Sequence, residues 1–213
     1  MIKGIIFDAD GTLLDSMHIW QDLGKRYLKS LGLIPEDNLN EVLFPMTLEE
    51  SSKYLKNKYS INKSSNEIKK DILKMIDDFY YYEVQLKNGV LSYLEYLYDN
   101  NIEMVIATTS DRSQIEKAFE RLDILKYFKC IFTCSELKTS KREGLIYLKA
   151  KELLNYKTNE ILVFEDVLYA LKTAKQLGFI TVGVEDESSK NKQEEIKNIT
   201  DYYITDFKNF KII

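Results

Sequence analysis

Two carboxylates and a glycine follow the first apolar run of the chain. Residues 5–7 are apolar, and Asp8, Asp10 and Gly11 come directly after them. A parallel strand delivers such residues to its C-terminal end, where ligands bind in open α/β sheets. Because one residue separates them, both carboxylates can lie on the same side of a strand. One carboxylate can then attack an electrophile while the other handles a proton, which requires a metal and an anion site elsewhere in the chain.

Later parts of the chain supply polar residues of the kinds that such a site needs. Hydroxyls end a second apolar run, two acids end a third run, and a lysine lies in the polar stretch between these runs. Hydroxyl and ammonium groups can hold an anion, and carboxylates are ligands for hard cations such as Mg²⁺. These residues are Thr108, Thr109, Ser110, Lys141, Glu165 and Asp166.

In this order, the motifs resemble those of the haloacid dehalogenase superfamily, within the phosphatase and sugar-phosphomutase branch that carries a helical cap. The resemblance extends over nearly the whole chain. It implies that Asp8 is a nucleophile that forms an aspartyl phosphate, and that Asp10 is the general acid and base. It further implies phosphate-binding residues, which are Thr108, Thr109 and Lys141, and Mg²⁺ ligands, which are Asp8, Asp10, Glu165 and Asp166.

The chain departs from the family pattern at three positions near these motifs. The family usually has proline shortly after the lysine, whereas Arg142 follows Lys141 here, and Lys138 is therefore a competing candidate. The family also often has serine directly after the acidic pair and glycine a few positions later, where this chain has Val167 and Ala170. We expect these changes to alter the start of the following helix while the metal site is kept.

Composition excludes some classes of partner. The 213 residues are 45% hydrophobic and 30% charged, and 30 basic against 34 acidic side chains give a net charge of −4. A mildly acidic chain without a basic stripe argues against nucleic acid as the partner. No run approaches the roughly 20 apolar residues of a membrane span. The chain begins directly with a strand pattern, so we expect no signal peptide, a cytoplasmic location and a monomer.

Apolar runs alternate with helical patterns along most of the chain, which predicts an α/β fold with a Rossmann-like core of parallel strands. The interval between the first and second runs differs, because it shows only helical patterns. In the family, this is where the cap is inserted. We therefore expect a catalytic core formed by residues 1–14 and 87–213, and an all-helical cap formed by residues 15–86. The runs are residues 2–7, 102–107, 130–133, 160–164 and 180–184, with a weaker one at 202–205.

Several polar residues have the spacing of helix caps. Two Ser/Thr-x-x-Glu sequences in the insert predict capping boxes, Thr47 with Glu50 and Ser64 with Glu67. Four residues next to the acidic and hydroxyl motifs are interpreted as simple N-caps. These four are Asp15, Ser16, Ser110 and Asp111.

The favoured function is a Mg²⁺-dependent hydrolase of a small phosphorylated metabolite, such as a sugar phosphate. A sugar phosphomutase of the same family is the first alternative, but Leu48 stands where its cap has an arginine, and Trp20 where its cap has a histidine. A halide-releasing hydrolase is disfavoured because it does not need the metal-type acids. A non-enzymatic phospho-receiver or regulatory binding protein is the remaining alternative. Receivers are shorter and lack the insert, and an inactive binder would be expected to have lost an acid.

Overall fold

The computed structural model of the protein describes residues 1–211. Its strands are β1 (Gly4–Phe7), β2 (Glu103–Thr108), β3 (Phe128–Thr133), β4 (Ile161–Glu165), β5 (Ile180–Val184) and β6 (Tyr202–Ile204). They form one sheet in the order β3-β2-β1-β4-β5-β6, and all neighbouring strands are parallel. The predicted α/β fold with a Rossmann-like core is thus confirmed. The strand order reverses beside β1, and ligands bind at such a reversal in open sheets.

The two central strands, β1 and β4, are buried along their whole length. Parallel strands covered by helices on both faces read as continuous apolar runs, which explains why both were visible in the sequence. Phe7 pairs with Ile106 of β2 on one side and with Phe164 of β4 on the other. The N–H of Asp8 continues this ladder by donating to the carbonyl of Phe164 at 3.0 Å. Asp8 and Glu165 therefore stand at the same level on adjacent strands.

Helices occupy most of the remaining chain. The helix Arg112–Arg121, for example, buries an apolar face formed by Ile115, Ala118 and Phe119. No helix in residues 1–211 has both the length and the apolar character needed to cross a membrane. A π-helical turn, Phe79–Glu83, follows the helix Ser65–Asp78. The helices are α1 (Met17–Ser30), α2 (Leu39–Leu43), α3 (Leu48–Lys58), α4 (Ser65–Asp78), α5 (Val90–Asp99), α6 (Arg112–Arg121), α7 (Cys134–Leu137), α8 (Leu145–Leu154), α9 (Leu168–Gln176) and α10 (Gln193–Ile199).

The chain divides into two compact units. The core unit consists of Met1–Met17 and the chain from Val84 onward, and the helical unit consists of His18–Glu83. The segments on either side of the helical unit pair with each other inside the core unit. The N–H of Asp15 donates to the carbonyl of Gln85, and the N–H of Lys87 donates to the carbonyl of Leu13, both at 2.9 Å. This pairing holds residues 13–15 and 85–87 together in the core unit. The predicted division into a core of residues 1–14 and 87–213 and a cap of residues 15–86 stays a prediction.

The helical unit contains α1 to α4, and α4 buries a regular stripe formed by Ile68, Ile72 and Ile76. Both predicted capping boxes are confirmed. Oγ1 of Thr47 accepts from the N–H of Glu50, Oγ of Ser64 accepts from the N–H of Glu67, and each glutamate bonds back to the N-cap backbone. These local contacts mark where α3 and α4 begin.

Candidate active site

Asp8 occupies the first position after β1, where it is 5% exposed. The ammonium group of Lys141, which is also buried, donates to Oδ1 of Asp8. Burial opposes the charge on Lys141, but its ion pairs with Asp8 and Glu165 outweigh this effect and raise its pKa above the usual value. The result is a buried carboxylate beside a fixed positive charge, which is an arrangement suited to receiving a phosphoryl group.

Glu165 and Asp166 stand at the end of the neighbouring strand β4, and both are buried. Oε1 of Glu165 lies 2.6 Å from Nζ of Lys141 and accepts a 2.7 Å hydrogen bond from the hydroxyl of Tyr147. One oxygen of this carboxylate therefore contacts two donors, and these donors come from the loop before α8 and from α8 itself.

The carboxylates of Asp8, Glu165 and Asp166 form a group in which one oxygen of each lies within 4.8 Å of the others. Oε2 of Glu165 and Oδ2 of Asp166 are buried and have no hydrogen-bond partner among residues 1–211. Gly11 provides the space for Asp166: a Cβ at Gly11 would lie 2.5 Å from that Oδ2. Since hard cations prefer oxygen ligands, an all-oxygen group with two unpartnered atoms fits Mg²⁺.

Burial raises the pKa of each carboxylate in this group. The pKa of Asp8 rises to about 8 even though Lys141 opposes the shift. Burial also raises the pKa of Asp166 well above its usual value, and the charges of Asp8 and Glu165 raise it further. One lysine cannot neutralise three buried carboxylates, so a divalent cation at this group would relieve their mutual repulsion.

Asp10 directs its carboxylate to two serine hydroxyls and is not part of the group of three. Oγ of Ser16 donates to its Oδ1, and Oγ of Ser110 donates to its Oδ2, both at 2.6 Å. The interpretation of these two serines as simple helix caps is wrong in this respect, because their hydroxyls bond a predicted catalytic residue. The bond from Ser110 also joins the loop after β2 to the loop after β1. Each carboxylate oxygen of Asp10 therefore accepts a hydrogen bond from a serine.

Of the predicted phosphate-binding residues, Thr108 lies at the end of β2, and Thr109 and Lys141 lie in loops. Thr108 ends β2 and is buried, and its Oγ1 accepts from the N–H of Ser110 at 3.0 Å, which shapes the turn before α6. Thr109 is exposed in that turn. Lys138, the competing lysine, is exposed and ends α7, whereas Lys141 is buried against two acids.

The departures from the family pattern have local structural counterparts. Arg142, in the place of the proline, stacks its guanidinium over the ring of Tyr169 at 4.1 Å from the ring centroid. Val167 occupies the N-cap of α9 and makes no side-chain capping bond, since valine has no acceptor. The start of α9 thus lacks a side-chain cap, while Asp166 remains beside Asp8 and Glu165.

This site lies in a stretch of chain that matches a known family. The sequence pattern of the haloacid dehalogenase-like hydrolases matches residues 5–184, which include all the residues described above. The chain belongs to this family. Membership confirms the predicted superfamily and indicates a hydrolase.

Relatives within the family are named as phosphatases, which indicates a phosphoric monoester hydrolase. A phosphorylated carbohydrates phosphatase of Thermotoga maritima is 25% identical over 83% of this chain and 82% of its own length. A validoxylamine A 7'-phosphate phosphatase of Streptomyces hygroscopicus subsp. limoneus is 23% identical over 86% of each chain. A Thermotoga maritima structure described as a candidate beta-phosphoglucomutase has a TM-score of 0.83 and 23% identity over 95% of this chain and 94% of that one. At that identity it shows the shared fold.

Three residues with side chains in the site, Ser16, Ser110 and Tyr147, were not predicted to bond a catalytic or metal-binding acid. A signal for Tyr147 was present, because it lies on a helix face whose other buried residues are Ile146, Ala150 and Leu154. A buried tyrosine hydroxyl usually needs a partner, and a tyrosine on such a face predicts a polar group opposite it. The two serines gave no comparable signal, because serine is common at helix starts.

Proposed function

We propose that this chain is a Mg²⁺-dependent phosphatase that hydrolyses a small phosphorylated metabolite, a sugar phosphate or a similar compound, through an aspartyl phosphate on Asp8. The observation that carries the proposal is the ion-paired arrangement in which Lys141 joins Asp8 to Glu165, with Asp166 beside them. The names of the two curated relatives support a phosphorylated sugar or sugar-like substrate. The cytoplasmic location and the monomeric state stay predictions.

In the first step, a carboxylate oxygen of Asp8 attacks the phosphorus atom, and the bond from phosphorus to the leaving oxygen breaks. The ammonium group of Lys141 binds phosphoryl oxygens and offsets their charge. The Thr108 hydroxyl and the Thr109 N–H would bind the other phosphoryl oxygens at the start of the α6 loop. These donors are held in place before the reaction, so they need little reorganisation in the transition state.

Asp10 moves the protons in both steps. A proton on its carboxyl group passes to the leaving oxygen as the substrate bond breaks. In the second step, the Asp10 carboxylate takes a proton from a water molecule whose oxygen attacks phosphorus, and the bond from phosphorus to Asp8 breaks to release inorganic phosphate. Since a hydroxyl both donates and accepts, Ser16 and Ser110 can bond Asp10 in its ionised and its protonated form.

Asp8, Glu165 and Asp166 would hold Mg²⁺, with Asp10 as the fourth predicted ligand. When bound, Mg²⁺ supplies positive charge that stabilises the phosphoryl oxygens in the transition state. The three carboxylates can orient toward a cation because β1 and β4 end at the same level. A metal role for Asp10 stays a prediction, since its carboxylate bonds the two serines.

The proposal is tested by measuring release of inorganic phosphate from a generic aryl phosphate ester. We expect activity with Mg²⁺, loss of activity with a chelator, and recovery when Mg²⁺ is restored. Asp8→Asn should abolish turnover, and no hydroxylamine-sensitive phospho-enzyme should be trapped with this variant. Asp99→Asn, at an exposed position of α5, should behave like the wild type in both measurements. Full activity in a metal-free preparation would refute the metal assignment, and near-normal turnover by Asp8→Asn would refute the nucleophile. A phospho-receiver or a binding protein would release no phosphate catalytically.

A further inference from the structure

Tyr147 connects the apolar core to the acidic group. It is fully buried on α8, and its hydroxyl donates to Oε1 of Glu165 at 2.7 Å. Its ring packs among apolar side chains, including Phe179, whose ring centroid lies 6.4 Å away. These surroundings would accommodate a phenylalanine ring equally well, so the function of the hydroxyl has to be found at Glu165.

The hydrogen bond decides which oxygen of Glu165 is available to a cation. Oε1 already contacts two donors, Tyr147 and Lys141. Oε2 is buried and has no hydrogen-bond partner among the described residues. A carboxylate with one oxygen held by two donors cannot rotate freely about its terminal bond, so Oε2 keeps a single direction.

We propose that Tyr147 is a positioning residue that holds Glu165 so that Oε2 faces the divalent cation beside Asp8 and Asp166, an inference that rests on the proposed function. Lys141 alone would not suffice, because its ammonium group is shared with Asp8 and, in the proposed function, also binds phosphoryl oxygens. The tyrosine hydroxyl is an uncharged donor whose ring is fully buried on α8, and it bonds only Glu165 among the contacts described above. Partners that orient a metal ligand in this way typically contribute about 10- to 100-fold to metal affinity.

The test is the Mg²⁺ dissociation constant of the substrate-free protein, measured by titration calorimetry. Tyr147→Phe should weaken Mg²⁺ binding by about 10- to 100-fold. Tyr93→Phe is the matched control, because Tyr93 is also buried and its hydroxyl has no partner in the described part of the chain. This control should bind Mg²⁺ like the wild type. Saturating Mg²⁺ should restore kcat of Tyr147→Phe, with KM for the phosphate ester close to that of the wild type.

The outcomes separate this inference from the proposed function. If the wild type binds Mg²⁺ and Tyr147→Phe binds it equally well, the positioning role is wrong and the proposed function stands. If kcat of Tyr147→Phe stays low at saturating Mg²⁺, the hydroxyl acts on something other than the metal ligand, and the inference is again wrong. If the wild type binds no Mg²⁺, the metal assignment and this inference fail together. Tyr147→Met fills a similar volume without a hydroxyl and replaces the phenylalanine variant if that variant does not fold.

Discussion

The ammonium group of Lys141 lies 2.6 Å from Oε1 of Glu165, and the same nitrogen bonds Asp8. The Lys141 ammonium group thus links the ends of β1 and β4 at the place where the strand order reverses. It links the predicted nucleophile to a predicted metal ligand, so changes at Lys141 affect both parts of the site.

Replacing Lys141 tests which of two lysines binds phosphate. Lys141→Ala should lower kcat/KM for an aryl phosphate by about 10²- to 10³-fold, the usual cost of removing one preorganised group that stabilises transition-state charge. Lys138→Ala is the control and should change kcat/KM little, because Lys138 is exposed at the end of α7. A larger loss for Lys138→Ala than for Lys141→Ala would contradict the assignment.

Asp10 and its serines should affect turnover to different degrees. Asp10→Asn should slow turnover by about 10²- to 10⁴-fold, because it removes the general acid and base. Ser110→Ala should cost about tenfold, since a hydrogen bond to a charged group contributes about 1.5 kcal/mol and Ser16 still holds the other oxygen. Ser30→Ala, at an exposed serine of the helical unit, should leave turnover unchanged. Equal rates for Ser110→Ala and the wild type would show that this bond does not support Asp10.

Gly11→Ala should disrupt the metal site. The backbone of Gly11 has φ +75, and its Cβ would lie 2.5 Å from Oδ2 of Asp166, so the carboxylate must move. We expect Mg²⁺ affinity to fall by at least about tenfold, as for other changes that disorder a metal ligand. Gly32→Ala is the matched control: φ is +72 and nothing lies within 4 Å, so it should lose about 1–2 kcal/mol of folding stability and retain Mg²⁺ affinity. Calorimetric titration of both variants measures the difference, and equal Mg²⁺ affinity in the two would contradict the expectation.

Mg²⁺ affinity should rise with pH. Burial raises the pKa of Asp8 to about 8, so the metal-free site retains a proton at neutral pH that Mg²⁺ must displace. Protons therefore compete with the cation at neutral pH, and the competition weakens as the pH rises. Affinity should increase by up to about tenfold per pH unit for one proton released. Calorimetry in buffers of different ionisation enthalpy counts the released proton, and a pH-independent affinity with no proton release would contradict this expectation.

The protein should hydrolyse sugar phosphates without isomerising them. A mutase must hold a second phosphate and keep water from its aspartyl phosphate, and Leu48 and Trp20 stand where the arginine and histidine of such a cap would be. β-Glucose 1-phosphate with a trace of the bisphosphate should therefore yield inorganic phosphate faster than glucose 6-phosphate. The reverse ratio would favour the mutase.

The sequence by itself determined the α/β fold and the family, because both depend on signals along the chain. Apolar runs that end in Asp8, Thr108 and Glu165 place these residues at the carboxyl ends of parallel strands, and parallel pairing brings such ends to one edge of the sheet. The capping boxes of α3 and α4 were equally visible, since each joins residues three positions apart.

Only the tertiary structure decided how the side chains of the site pair. Lys141 rather than Lys138 lies against the acids because the loop before α8 turns it into the core, which no local spacing encodes. The bonds from Ser110 to Asp10 and from Tyr147 to Glu165 join residues on separate elements, so they depend on strand register and helix packing. Local patterns predict which residues reach the edge of the sheet, whereas the direction of each side chain is set by the packing of elements that are far apart in the chain.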